Sequence, residues 1–164
     1  MPGKSNEPVD DPVKIRERAY RLMAVRAHSR AELKQKLLQK RCDAGEVGQL
    51  LEQLVERGLV NDAETAQRWA ESAVRDRNWG RAKIQWYLLR KGIAGDIVDE
   101  VLGRLWDEHR EVDIAARAFQ KRFGAGRKQP RKAQAAAFLK SRGFSSDIIY
   151  TLIRDLPDAE EVSG

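Results

Sequence analysis

The residues that could do chemistry in this chain are few, and none has the neighbours that chemistry would need. The two histidines, His28 and His109, stand far apart, and neither has a second histidine or a cysteine at the spacing a metal site requires. Each is expected at the surface or at a helix end. Cys42 is the one cysteine, so no intramolecular disulfide framework can form, which suits a reducing compartment. It falls at a position that two later segments fill with Ile93 and Phe144, so a small buried hydrophobe is expected there, not a nucleophile. Gly124-Ala125-Gly126-Arg127-Lys128 looks superficially like a phosphate loop, but it has no strand before it and no serine or threonine after the lysine. Aspartates and glutamates mostly alternate with basic residues on helix faces, the pattern of solvated intrahelical pairs. The expectation is a non-enzymatic protein with no catalytic residues, no metal ligands and no cofactor.

The basic residues carry more information. The 164 residues include 31 Lys+Arg against 25 Asp+Glu, a formal charge of +6. Between Arg117 and Arg142 stand Arg117, Lys121, Arg122, Arg127, Lys128, Arg131, Lys132, Lys140 and Arg142, and no acid interrupts them. These nine exceed the excess of the whole chain, so the remainder is slightly acidic. A solvated face normally mixes signs. One-signed crowding costs self-repulsion, which favours a role in binding a phosphate backbone or an acidic groove. A second group, Arg68, Arg75, Arg77, Arg81, Lys83, Arg90 and Lys91, is interleaved with Trp69, Trp79, Trp86 and Tyr87, and aromatics beside arginines can stack on unpaired bases. Trp69 shares a stripe with Ala66, Ala70 and Ala73 and is expected in the core. Trp79, in the loop before a helix, is the ring expected to be exposed, and the pattern leaves Trp86 open.

The elements that must position these residues come from a repeat. Shifted by 51 residues, Leu37 lines up with Leu88 and Leu139, Val47 with Val98 and Ile149, and Leu51 with Leu102 and Ile153. Ala31, Ala82 and Ala133 also align, each after a basic residue (Arg30, Arg81, Lys132). Arg90 to Val98 matches Ser141 to Ile149, including Gly92 with Gly143 and Asp96 with Asp147, whereas the first copy has Arg41-Cys42-Asp43 there and diverges. Val47, Leu50, Leu51, Leu54 and Val55 follow a helical period. Ser29 with Glu32 forms a capping box, Asn61 with Glu64 offers another, and Gly58, Gly92 and Gly143 close helices.

Nine helices are predicted, at 13–27, 30–41, 44–57, 62–77, 80–91, 95–107, 109–123, 130–142 and 146–155. The expected organisation is a disordered segment 1–12, three-helix repeats at 13–58, 59–108 and 109–156, and a disordered acidic tail 157–164. Each unit is too small to bury much alone, so the fold class is all-α, with three tandem three-helix repeats stacked into an elongated, curved array. The segment 123–130 is too rich in glycine to be helical and reads as a flexible elbow. No apolar run is long enough to span a membrane and the amino terminus lacks the apolar centre of a signal peptide, so a cytoplasmic location is expected.

Leu59-Val60-Asn61-Asp62, Arg68-Trp69-Ala70, Arg75 with Arg77, Gly80-Arg81 and Leu88-Leu89-Arg90-Lys91-Gly92-Ile93 together resemble the central repeat of the RecX family. The resemblance runs over roughly residues 15 to 155 and is clearest in the middle copy. It implies tandem three-helix repeats and no catalytic activity. It also implies a regulator, most often a negative modulator, that lodges in the groove of the RecA–single-stranded DNA filament and alters ATP hydrolysis and strand exchange. The binding groups it implies are Arg75, Arg77, Arg81, Arg90 and Lys91, joined by the third-copy counterparts Lys132, Lys140 and Arg142. The third copy departs from the second in having Ala135-Ala136-Ala137 where the second has Ile84-Gln85-Trp86, so the two middle helices cannot pack identically. A recombinase filament is thus the expected partner, with single-stranded DNA contacted more weakly or indirectly, and a monomer is expected. Two competing expectations share the same residues: a sequence-independent DNA-binding module acting without a recombinase, and a helical-repeat adaptor whose charge serves solubility.

Overall fold

In a computed structural model that describes residues 8–124 and 126–158, nine helices and no strands occur among the described residues. They are α1 (Pro12–Val25), α2 (Arg30–Gln39), α3 (Ala44–Glu56), α4 (Asp62–Arg77), α5 (Arg81–Arg90), α6 (Gly95–Glu108), α7 (Glu111–Phe123), α8 (Lys132–Ser141) and α9 (Ser146–Ile153). Every predicted helix is present, with ends displaced by two residues at most. The starts follow side-chain chemistry: Asp11, Ser29, Asp43, Asn61 and Ser145 each accept a backbone N–H of the first turn.

Within each copy the three helices enclose the residues that the repeat aligns. Leu37, Leu88 and Leu139 are fully buried, as are Val47 and Val98 within a per cent, and Ile149 follows. Cys42, Ile93 and Phe144 fill one equivalent buried position at the foot of the third helix, as expected for a cysteine used as a hydrophobe. Ala135 is buried where the second copy buries Ile84, so the two middle helices fill the same core position with side chains of different size.

Two segments expected to be disordered are partly engaged. Val9 forms a parallel bridge with Cys42, donating its N–H to Arg41 O at 2.9 Å and accepting from Asp43 N at 2.9 Å. The chain is therefore tied down from Val9, before α1 begins, by backbone groups that need partners. At the other end, Pro157 O accepts from Lys132 N at 3.2 Å and Asp158 pairs with Lys132 Nζ at 3.3 Å. Residues 1–7 and 159–164, the rest of those two segments, lie outside the described residues.

The hydrophobic cores are not equal. The first copy has its own cluster, from Ile15 and Ala19 to Leu54 and Val60. The second and third copies share one continuous cluster running from Ala66 to Ile153. How the copies meet explains the difference.

Candidate nucleic-acid interface

Neighbouring copies meet through their middle helices, the start of one against the end of the next. At the first seam, between copies one and two, the Ser29 hydroxyl donates to Lys91 O, and Arg30 N–H donates to the Asp62 carboxylate at 2.8 Å. At the second seam the backbone itself does the reaching. Gly80 N–H donates to Arg142 O at 2.7 Å, Ala82 N–H donates to Gly143 O at 3.2 Å, and Arg81 N–H donates to Glu111 at 2.8 Å. Gly80 occupies the repeat position of Ser29, and a Cβ on it would lie 2.6 Å from Gly143 O. Losing the side chain lets the second seam close further, and the cores of copies two and three merge across it.

The helix-closing glycines serve the same approach. Gly92 (φ +78) would place a Cβ 2.4 Å from Ala31 Cβ, and Gly143 (φ +90) would place one 2.4 Å from Lys83 N. Arg41 holds the equivalent left-handed position, φ 61, in the first copy. Its carbonyl accepts the Val9 N–H at 2.9 Å.

A cleft opens at each seam, and the two are related by the repeat. The first has a volume of about 280 Å³ and gathers Arg26 from the end of α1 with Tyr87 and Lys91 from α5 and its end. The second, about 320 Å³, gathers Arg77, Phe138 and Arg142 at the same three repeat positions, and adds Lys121 and Arg122 from the end of α7. In each, the cation that closes the middle helix lies over the ring: Lys91 at 5.7 Å from Tyr87 and Arg142 at 5.2 Å from Phe138. Arg142 also donates to Arg77 O at 3.3 Å, which ties α8 to the end of α4.

Arg77 lines both clefts, but the residue at one repeat position differs in sign between the two seams. At the first seam Glu32, nearly buried, accepts from both Nη atoms of Arg26 (2.9 and 2.6 Å) and from Lys91 Nζ at 3.0 Å. Burial alone would push this carboxyl up, but the hydrogen bonds from Arg26 and Lys91 outweigh it and hold the pKa at about 2. Only half of the expected capping box forms: Ser29 accepts Glu32 N–H, while the Glu32 side chain turns to these cations. His28 is at a helix end, just before the N-cap of α2, as expected, but it is buried in the same corner and not at the surface. Desolvation lowers its pKa, so the neutral ring donates from Nδ1 to Arg26 O at 2.8 Å and accepts from Lys36 at Nε2. At the second seam the position of Glu32 is held by Lys83. Its Nζ donates to Ser141 O at 3.0 Å, and its pKa is lowered by burial and then by repulsion from Arg142 and Arg77.

The expected binding residues therefore separate. Arg77, Lys121, Arg122 and Arg142 converge on the second cleft. Lys91 is committed to Glu32, Lys132 to Asp158 and Arg75 to Asp76. Arg90 lies over Trp86 at 5.0 Å, and Arg81 is exposed at the start of α5. Arg117, Lys128, Arg131 and Lys140 are exposed, while Arg127 turns back to donate to Arg122 O at the end of α7. Trp79, expected to be exposed, is buried instead: it packs edge-on to Tyr87 at 5.5 Å beneath Arg77 and Lys83. The exposed ring is Trp86, at 57%. Lys83 stood in the basic run but not among the residues singled out, and its signal was its alignment with Glu32 at the repeat offset.

The comparisons with known proteins agree on the family of this repeat array. The family descriptions "RecX, first three-helix domain" and "RecX, second three-helix domain" match residues 16–54 and 61–102. "Regulatory protein RecX" of Halorhodospira halophila is 39% identical over 138 residues, covering 81% of this chain and 82% of that one. The protein of the same name from Pseudomonas entomophila is 37% identical over 160 residues, covering 92% and 97%. The crystal structure of RecX from Lactobacillus salivarius superposes with a TM-score of 0.70 at 22% identity, covering 88% of this chain and 96% of that one. The chain belongs to the RecX family of regulatory proteins. No helix among the described residues is long and apolar enough to cross a membrane.

Proposed function

We infer that this protein regulates the RecA recombinase, most often as a negative modulator. It binds as a monomer in the groove of the RecA–single-stranded DNA filament and alters ATP hydrolysis and strand exchange. The observation that carries this reading is the convergence of Arg77, Lys121, Arg122 and Arg142 on one cleft, in a chain of the RecX family whose copies stack end to end. Such an array can touch successive protomers, and its positive clefts complement an acidic groove and the phosphates within it. It needs no active site, because a ligand shifts an equilibrium through different affinities for two filament states. This activity belongs in the cytoplasm, where recombinase filaments form.

The test is ATP hydrolysis by the cognate recombinase on single-stranded DNA during titration with this protein, beside its affinity for the same DNA alone. Suppression well below one protein per recombinase protomer, with weaker binding to naked DNA, is the expected result. Unchanged hydrolysis with tight naked-DNA binding would leave a DNA-binding module acting by itself.

A further inference from the structure

The two seams place the same three groups around a cleft, a guanidinium, an aromatic ring and a second cation, but fill the fourth position with opposite charges. At the first seam the fourth position is Glu32, whose one carboxylate ties Arg26 and Lys91 together with three hydrogen bonds. At the second it is Lys83, which stands beside the cleft: its Nζ and the Arg77 guanidinium both lie over Trp79, at 4.9 and 4.8 Å, and Arg142 is close enough to repel it. None of these three, nor Lys121 or Arg122 beside them, pairs with a carboxylate among the described residues. Asp76 lines the cleft and attracts Arg77, but its hydrogen bonds go to Arg75 at 2.9 Å and to the Ser72 hydroxyl at 2.9 Å. A fold that repeats a cleft and reverses its central charge keeps an unbalanced field in one copy that the other shows how to balance.

We propose that the second cleft is a phosphodiester site: a backbone phosphate of single-stranded DNA takes the place that the Glu32 carboxylate takes at the first seam, held by Arg77, Lys83 and Arg142. A planar guanidinium suits phosphate oxygens bidentately, and the ammonium supplies a point charge. Phe138 lies beside Arg142 at 5.2 Å and forms edge contacts with Phe123 at 5.4 Å, an apolar floor on which an adjoining base can rest. Lys121 and Arg122, from the next helix end, extend the positive track along the strand. The choice of a strand over an acidic protein face follows from this pairing of cations with an aromatic floor, because a carboxylate surface gives the ring nothing to stack.

The proposal deepens the filament reading, yet its test needs no recombinase. Binding of the full chain to fluorescent oligothymidylate is measured over a salt series for the wild type, Lys83→Glu and Lys83→Gln. Lys83→Glu recreates the first seam's arrangement, so it is expected to fold with undiminished thermal stability while binding about tenfold more weakly. Its dependence of log K on log salt is expected to be shallower by about one. Lys83→Gln, which adds no competing carboxylate, is expected to fall between the two. Equal affinity and equal salt slope in all three proteins would overturn the proposal, whether or not a recombinase responds to the wild type. So would binding of polyglutamate as tight as that of oligothymidylate and equally lost in Lys83→Glu, since the cleft would then take a carboxylate surface.

Discussion

The two seams of this array are built from one plan and solve opposite problems. At the first, Ser29 keeps the copies at the distance of a side chain, and Glu32 clamps Arg26 and Lys91 so that one net positive charge is left among the three. At the second, Gly80 brings backbone against backbone, apolar packing runs through, and the junction is left cationic. The first seam is held by charge, and the second by close packing. A junction secured by packing can leave its charges unpaired for a partner, whereas one secured by an ion-pair clamp cannot.

The largest effect should come from striking the packed seam. Gly143→Ala forces a Cβ into Lys83 at a φ of +90, so it is expected to cost about 3 kcal/mol and to lower the denaturant midpoint at unchanged slope. Striking the clamped seam should cost less. Glu32→Gln leaves Arg26 and Lys91 without their carboxylate, and because both cations are partly exposed the expected loss is about 2 kcal/mol near neutral pH. The pH dependence identifies the cause. Glu32 binds its proton less readily folded than unfolded, so its contribution is complete above pH 4.5 and disappears as the pH falls towards about 2. Urea titrations through that window should show a steeper slope in the wild type than in Glu32→Gln, which keeps only the share of other paired carboxylates such as Asp76.

Lys83→Glu should sharpen the contrast in the other direction. It gives Arg77 and Arg142 the carboxylate that Arg26 and Lys91 enjoy, and it is expected to raise stability by up to about 1 kcal/mol in thermal melts. The smallest effect belongs to His28. Buried and neutral, it binds its proton less readily than in the unfolded chain, so stability is complete above pH 6.5 and declines below it. Melts of His28→Gln should lack that decline.

The fold was legible because the repeat is written in apolar residues at a fixed offset, and Leu37, Leu88 and Leu139 can be buried together only if the three copies fold alike. The helix starts were legible for the same local reason, in Ser29, Asn61 and their following acids. The candidate site was legible only in part. Charge counting found the cations, but it could not see that Lys132 and Lys91 already have partners, because Asp158 and Glu32 reach them across the fold. Trp79 misled because a residue in a loop looks exposed until the next copy's helix end packs over the junction beside it. The decisive exchange of Glu32 for Lys83 was visible in the alignment of copies, but its meaning depended on knowing that this position faces the seam.

The central claim, that the chain regulates a recombinase filament through its cationic seam, is tested most directly by one comparison. ATP hydrolysis by the cognate RecA on single-stranded DNA is followed while titrating wild type, Lys83→Glu and Glu32→Gln, each verified as folded. Suppression by the wild type and by Glu32→Gln, with a much higher concentration needed for Lys83→Glu, is the predicted result. Suppression by Lys83→Glu at the wild-type concentration would contradict it, because the second seam would then play no part in regulation.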